Sequence, residues 1–297
     1  MSRPPRDAMA HLEAPSAGVW MGCVTKVVGL VVESLGPPCA VGEQMLIHAK
    51  DGAGGPRPCP AEVVGFSGPR VLLMPIQDTE GIRPGLWVEA MGHQPRLPVS
   101  DALLGRVIDP LGQPLDGRDL PEATHHLPLQ GPTPNPLHRR RIRQALATGV
   151  RAVDGLLTLG KGQRVGIFSG SGVGKSTLLG MMARHTAADV NVIALVGERG
   201  RELRDFLETD LGPEGLARSV VVVATGDQSP LLRLRCALAG TAVAEHFMKR
   251  GKDVLLMMDS VTRFAMAQRE VGLSAGEPPS SRGYTPSVFA RPLQQAG

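Results

Sequence analysis

The 297-residue chain is 42% hydrophobic and 20% charged, with a formal net charge of +4. This composition is typical of a folded globular protein, and the length favours two domains over one. No apolar run reaches the roughly 18 to 20 residues that span a bilayer, so the sequence excludes a membrane-spanning helix. The cysteines form no C-x-x-C pair, which argues against a disulfide framework or a zinc site and predicts buried free thiols at Cys23, Cys39, Cys59 and Cys236.

The N-terminal part of the chain is predicted to be a short leader followed by a small barrel. Residues 1–17 contain arginines without a following apolar stretch, which indicates a disordered leader, not a secretory signal, in a cytoplasmic protein. Residues 18–91 contain short β-branched runs separated by turn residues, a pattern typical of a small antiparallel β-barrel or sandwich. Its few aromatic side chains, Trp20, Phe66 and Trp87, argue against single-stranded nucleic acid as a partner.

A proline-rich stretch between Gly92 and Arg143 opens the second predicted domain, residues 92–297. The recurring prolines predict an extended connector with little regular structure. The run LHRRRIR at 137–143 indicates a solvated basic turn, with contact to phosphate-bearing polymers or acidic lipid headgroups as the alternative.

After Thr148 the pattern changes to strands that alternate with helices. The predicted strands are RVGIFSG, NVIALVGE, SVVVVAT and DVLLMMDS. The predicted helices are KSTLLGMMARHT, RGRELRDFLETDLG and PLLRLRCALAGTAVAEHFMKRGK. Such alternation predicts an α/β domain with a largely parallel sheet, covered on both faces, that binds ligands at the carboxyl ends of its strands.

A glycine-rich loop, SGSGVGKST, follows the first of these strands. It differs from the phosphate-binding pattern G-x-x-x-x-G-K-[ST] in Ser169, where the pattern has glycine. The remaining glycines allow backbone N–H groups to surround anionic oxygens, so we expect the serine to cost little. The strand before it and the helix after it favour a nucleotide site over a chance glycine-rich turn. The predicted nucleotide-binding residues are Gly170, Ser171, Gly172, Val173, Gly174, Lys175, Ser176 and Thr177.

Acidic residues end two of the predicted strands. Asp259 ends VLLMMD in the form of a Walker B site, which binds Mg²⁺, although the same residue could cap the next helix. Glu198 ends NVIALVGE, where a carboxylate could polarise an attacking water. Taken alone, GERGRE would indicate an exposed helix start, but the order of glycine loop, acid and acid favours catalysis.

Four segments together resemble the ATPases of type III protein export, the flagellar and virulence-injection motors related to the beta subunit of rotary ATP synthases. These segments are SGSGVGKST, GERGRELRDF, LLMMDSVTRFAMAQRE and AGEPPSSRGYTPSVFA, and the resemblance covers about residues 18–290. It implies a RecA-like P-loop core preceded by the small barrel. Members of the family commonly carry Ala or Ser at the position of Ser169.

The resemblance also implies roles for individual residues. Lys175 and Ser176 would contact the triphosphate and Mg²⁺, and Glu198 would be the catalytic carboxylate. The implied catalytic residues are Lys175, Glu198, Arg199, Asp259 and Arg263. The implied metal-binding residues are Ser176, Asp259 and Glu202.

The activity implied is Mg²⁺-dependent hydrolysis of ATP that energises protein export. Family members form homo-hexameric rings with ATP between subunits, and their partners are stalk and stator proteins, export chaperones, substrates and a membrane export gate. The resemblance therefore implies a cytoplasmic protein at the inner face of the membrane, with no nucleic acid partner. It does not separate flagellar from virulence systems, although SSRGYTPSVFA slightly favours the flagellar branch.

Family members continue beyond PSVFA with further core strands, an arginine finger, adenine contacts and a helical domain, whereas this sequence ends RPLQQAG. The RecA-like core is therefore predicted to be incomplete. If these 297 residues are the whole protein, we expect nucleotide binding to be weak at best and turnover to be near background. One alternative is a truncated, catalytically poor nucleotide-binding module. The other is a hexameric RNA translocase, against which the scarcity of aromatic residues argues.

Overall fold

The computed structural model describes residues 19–50, 55–120, 122–131, 135, 137, 141–170 and 172–290. The chain divides into two compact units, one up to Gln94 and one from Pro95 onward. The predictions for the leader 1–17, for Ser171 and for part of the basic run 137–143 lie outside the described residues.

The first unit is a closed antiparallel barrel, as the sequence predicted. Its strands are β1 (Met21–Val28), β2 (Val31–Leu35), β3 (Gln44–Lys50), β4 (Pro56–Ser67), β5 (Arg70–Pro75) and β6 (Trp87–Ala90). They follow one another around the barrel in the order β1-β2-β5-β4-β3-β6. Because successive strand residues point to opposite faces, every second side chain, such as Met45 and Ile47 of β3, lies in the barrel core.

The proline-rich stretch contains three strands, so the prediction of little regular structure there was wrong. These strands are β7 (Arg96–Val99), β8 (Arg106–Ile108) and β9 (His125–Pro128). β7 pairs with β9 in a two-stranded sheet, where a proline is tolerated because each strand has a free edge. β8 joins the main sheet, and the buried Arg106 at its start is held by the Asp116 carboxylate at 2.7 Å. Those hydrogen bonds keep the pKa of Asp116 well below its usual range.

The second unit also contains the alternating elements that the sequence predicted. Its further strands are β10 (Ala145–Leu146), β11 (Leu159–Gly160), β12 (Val190–Glu198), β13 (Ser219–Thr225) and β14 (Val254–Asp259). Its α-helices are α1 (Arg151–Leu156), α2 (Lys175–His185), α3 (Gly200–Asp205), α4 (Gly212–Ala217), α5 (Pro230–Lys249), α6 (Val261–Ser274) and α7 (Pro286–Ala290). A π-helix, Phe206–Leu211, joins α3 to α4, and short 3₁₀ turns lie at Asp101–Leu103 and Ser281–Gly283.

The main sheet is parallel and has the strand order β14-β12-β13-β8. The inner strands β12 and β13 are buried along almost their whole length, which explains their continuous Val, Ile, Leu and Ala composition. Ile193, Leu195 and Val221 pack with Leu179 and Met182 of α2 in the core of this unit. Because β12 and β14 are parallel neighbours, their carboxyl ends lie side by side at one edge of the sheet. The start of α2 lies beside this edge.

One predicted strand is absent. Residues 164–170, which include RVGIFSG up to the glycine loop, form no strand, and Phe168 is 96% exposed. β14 lies at the edge of the sheet formed by the described residues and pairs only with β12 there. A run of apolar residues indicates that a segment suits a strand, but only backbone hydrogen bonds to a neighbour make it one.

Two of the four cysteines, Cys59 and Cys236, are buried, while Cys23 and Cys39 are half-buried, and all four are free. The prediction of free thiols is therefore confirmed, but full burial was predicted correctly for only two of them. Burial raises the pKa of the Cys236 thiol, which contacts the Leu195 and Val222 carbonyl oxygens.

Candidate nucleotide site

The glycine loop ends at the first residue of α2. Gly172 and Gly174 have φ angles of 78° and 92°, in the left-handed region where a side chain would be strained. Apart from their own chain neighbours, no atom of the described residues lies within 4 Å of the position that a Cβ would take at Gly170, Gly172 or Gly174. The described part of the loop is thus open at the positive end of an 11-residue helix, a geometry that suits a phosphate group.

Lys175, the first residue of α2, reaches across to the end of β14. Its Nζ lies 2.5 Å from Oδ1 of Asp259, whose side chain is only 8% exposed. Since β14 pairs with β12, this carboxylate lies beside the end of the strand that carries Glu198. Asp259 does not cap α6, because Ser260 is the N-cap and its Oγ accepts a hydrogen bond from the Arg263 amide. The capping alternative for Asp259 is therefore wrong.

Glu198 is the last residue of β12, and its side chain is 15% exposed. It is not part of an exposed helix start, because α3 begins two residues later, at Gly200. Nη2 of Arg263 lies 3.5 Å from its Oε2. Burial raises the pKa of Glu198; Arg263 opposes this effect, whereas the charge of Asp259 and a hydrogen bond with Glu202 add to it. A carboxylate whose pKa is raised in this way is a better proton acceptor than an exposed one.

The remaining predicted residues lie around this pair of carboxylates. Ser176 and Thr177 are exposed in the first turn of α2, and Val173 is exposed in the loop. Glu202 of α3 contacts Glu198 and also accepts a hydrogen bond of 3.2 Å from the largely exposed Arg199. The structure thus brings together Lys175 with Asp259, and Glu198 with Arg263 and Glu202.

Two residues of this region carried no prediction from the sequence. Gly197 lies at a bulge in β12, where the register with β13 shifts between Val196 and Glu198, and its φ is 72°. Its carbonyl oxygen accepts a hydrogen bond from Nη1 of Arg263. Cδ of Arg233, from α5, lies 3.5 Å from the position that a Cβ would take at this glycine. The signal that could have identified Gly197 is a glycine immediately before an acidic residue at a strand end.

Among the residues that the structure describes, there is no group of three or more His, Cys, Asp and Glu side chains arranged for a metal ion. The side-chain oxygens of Ser176 and Asp259 are of the kind that Mg²⁺ prefers when it binds together with a nucleotide. The described part of the chain also contains no helix long and apolar enough to cross a membrane.

Comparison with family models gives two matches along the chain. Residues 24–92 match the beta-barrel domain of the ATP synthase alpha/beta family, and residues 149–294 match the nucleotide-binding domain of the same family. Together these two segments make up well over half of the chain.

Curated relatives match nearly the whole chain. The flagellum-specific ATP synthase of Bacillus subtilis is 55% identical over 279 residues, which are 93% of this chain and 63% of that protein. The type 3 secretion system ATPase of Xanthomonas euvesicatoria is 52% identical over 290 residues, 97% of this chain and 65% of that protein. The chain thus spans slightly less than two thirds of the length of these relatives.

Solved structures agree with this relationship. The assembled ATPase EscN from the type III secretion system of enteropathogenic E. coli superposes with a TM-score of 0.82 at 41% identity, over 93% of this chain and 66% of that one. EscN in complex with its central stalk EscO gives the same TM-score at 42% identity, over 91% and 65% of the two chains.

Proposed function

Because the chain belongs to the ATP synthase alpha/beta family, we propose that its second unit binds ATP with Mg²⁺ and hydrolyses the terminal phosphate bond. One observation carries this proposal: Lys175, at the N-terminus of α2, contacts Asp259 at the end of β14 with a 2.5 Å separation. The contact places a cation, a helix terminus and a carboxylate at one edge of the sheet, beside Glu198.

Each side chain then has a role that its position supports. The loop amides and Lys175 bind the phosphate oxygens. Ser176 and Asp259 would hold Mg²⁺, which when bound would neutralise charge on the phosphates. Glu198 orients the attacking water and accepts its proton, for which its raised pKa suits it. Arg263 contacts the Glu198 carboxylate directly, and Glu202, which pairs with Arg199, also contacts it.

We also propose that this hydrolysis energises protein export through a flagellar or injection-type type III secretion apparatus. The names of the relatives, flagellum-specific ATP synthase and type 3 secretion system ATPase, support this role. They give no support to an RNA translocase. A homo-hexameric ring is proposed from the assembled state of EscN, and a stalk partner from the EscN–EscO complex. Stator proteins, export chaperones with their substrates, and a membrane export gate at the inner face of the cytoplasmic membrane complete the proposed set of partners.

The binding step is tested with a matched pair of lysine variants and a fluorescent ATP analogue in the presence of Mg²⁺. Lys175→Ala removes the contact to Asp259, whereas Lys161→Ala removes a lysine of similar exposure that contacts Asp253 away from the loop. Loss of a charge-assisted hydrogen bond to phosphate should weaken binding by at least about tenfold in the first variant. The second variant should bind like the wild type.

Equal affinity in the two lysine variants would contradict the proposed site. If the wild-type chain binds the analogue but releases no phosphate from ATP, the result supports the alternative of a nucleotide-binding module and contradicts the hydrolytic part of the proposal. Hydrolysis that is lost in Lys175→Ala and kept in Lys161→Ala supports the ATPase.

A further inference from the structure

The inference concerns the bulge that precedes Glu198. At Gly197 the chain leaves the regular register of β12, which changes the direction in which Glu198 is presented. A Cβ at this position would lie 3.2 Å from Cδ of Arg263 and 3.5 Å from Cδ of Arg233. Two arginine side chains from different helices therefore pack against the backbone of one glycine.

Arg263 is the arginine that contacts the candidate catalytic carboxylate. Its side chain comes from α6, donates a hydrogen bond to the Gly197 carbonyl oxygen and lies 3.5 Å from Glu198. The position of its guanidinium relative to Glu198 depends on where α6 lies relative to β12. A shift of α6 would change this distance directly.

Arg233 of α5 does not contact Glu198 but fixes the position of α6. Its Nη1 and Nη2 donate to the two carboxylate oxygens of Glu270 at 3.2 and 2.5 Å, in a bidentate pair. Glu270 lies on α6 seven residues after Arg263, which is two helical turns and the same side of the helix. The Arg233 side chain is 13% exposed, and its buried Nε has no hydrogen-bond partner among the described residues.

We propose that the Arg233–Glu270 pair is a positioning device that holds Arg263 against the Gly197 bulge and thereby sets the geometry of Glu198. The inference rests on the proposed ATPase function. Arg233 is hydrogen-bonded to Glu270 of α6, and the aliphatic part of its side chain packs on Gly197. One side chain therefore contacts both the helix that carries Arg263 and the bulge that precedes Glu198. The Arg233 side chain is largely buried, whereas that of Glu270 is 42% exposed. The bidentate geometry restricts the movement of one side chain relative to the other, and a misplaced catalytic group lowers turnover strongly.

The test compares Glu270→Gln, Arg233→Lys and the exchanged pair Arg233→Glu with Glu270→Arg in the full chain. Glu208→Gln is the control, because Glu208 pairs with Arg204 at 2.7 Å in an exposed (i, i+4) bridge away from Glu198. We expect kcat for ATP to fall by about tenfold or more in the two single variants, with KM changed by less than about threefold. The exchanged pair should recover most of the loss, and the control should keep the wild-type kcat.

A second readout is independent of turnover. The guanidinium signals of Arg263, identified by their loss in Arg263→Lys, report its position in NMR spectra of arginine-labelled protein. They should move in Glu270→Gln and Arg233→Lys but not in Glu208→Gln. Unchanged Arg263 signals, or an unchanged kcat in variants that fold, would overturn the proposal. If the wild type fails to bind nucleotide, the proposed function fails, while the Arg263 signals still decide whether the pair positions this arginine.

Discussion

The barrel unit and the α/β unit differ in where they keep their polar groups. Among the described residues, the barrel buries one polar side chain, Ser34, and its ion pairs His48–Glu89, Arg57–Glu80 and Arg70–Glu33 are partly or largely exposed. The described part of the α/β unit buries Arg106, Arg235, Asp259 and His246 together with several uncharged polar residues. An unpaired buried charge lowers stability, so buried charged groups are usually retained for a function. The difference indicates that the α/β unit, and not the barrel unit, contains the reactive groups.

The architecture of the two sheets explains this difference. In the closed barrel each strand pairs with two neighbours, so the backbone N–H and C=O groups along the strands are hydrogen-bonded within the barrel. In the open parallel sheet, loops leave the carboxyl ends of the strands, and polar side chains converge there. Glu198 and Asp259 stand at such ends, next to Lys175.

The largest predicted difference between the two units is the effect of a carboxylate substitution on the rate of ATP hydrolysis. Glu198→Gln removes the proton acceptor while keeping the shape of the side chain, so ATP hydrolysis should fall by about 10²- to 10⁴-fold with ATP still bound. Glu89→Gln in the barrel removes a carboxylate of similar exposure that pairs with His48. It should leave turnover unchanged. A comparable loss of phosphate release in both variants would contradict the assignment of the chemistry to the α/β unit alone.

The next largest predicted effect is on the stability of each unit, and it is tested at two core isoleucines. Ile47 of β3 and Ile193 of β12 are both fully buried, one in each core. Truncation of either to alanine should lower the free energy of unfolding of its own unit by about 2 to 5 kcal/mol, because it leaves a cavity. Ile193→Ala should also lower the rate of ATP hydrolysis, since β12 carries Glu198, whereas Ile47→Ala should not.

The two units can be followed separately in these experiments. Both tryptophans of the chain, Trp20 and Trp87, lie in the first unit, so their fluorescence reports on the barrel. Far-UV circular dichroism at the helical band reports on the α/β unit, because the described α-helices all lie there. A single shared transition that moves equally in both variants would show that the units do not unfold independently.

The smallest predicted effect concerns pH. His246 of α5 is buried. Its Nε2 lies 2.9 Å from Oδ1 of Asp101, and its Nδ1 lies 3.2 Å from Nε2 of His125. Arg250 donates a hydrogen bond to the other carboxylate oxygen of Asp101. Burial lowers the pKa of His246, and the hydrogen bond to Asp101 only partly opposes this effect. The folded state therefore favours the neutral ring. The unfolded state takes up more protons as pH falls below about 6.5, so stability of the α/β unit should decrease there.

Urea unfolding followed by circular dichroism between about pH 8 and pH 5 tests this effect. The midpoint of the α/β transition should fall on the acid side in the wild type and fall less in His246→Gln, which keeps a hydrogen-bonding side chain but does not titrate. The barrel transition, followed by tryptophan fluorescence, should be the same in both proteins. An identical pH slope of the α/β transition with and without His246 would contradict the prediction.

The sequence predicted much of the fold because its signals were local and repeated. Short runs separated by turn residues, such as GEQMLIHA, predicted the barrel strands, and continuous β-branched runs such as SVVVVAT predicted the buried parallel strands. The glycine spacing around Lys175 gave the candidate nucleotide loop, since the backbone angles at Gly172 and Gly174 are what glycine favours. Asp259 and Glu198 were identified by their positions at strand ends.

Other features depended on the tertiary structure, because they require partners distant in the sequence. β8 is a strand of the main sheet because it pairs with β13. RVGIFSG pairs with no strand among the described residues and is exposed. The contact of Lys175 with Asp259 joins residues 84 positions apart, and that of Arg233 with Glu270 joins two helices. Local residue preferences determine which segments can form strands, helices and loops, but hydrogen-bond partners and side-chain packing decide which of them meet.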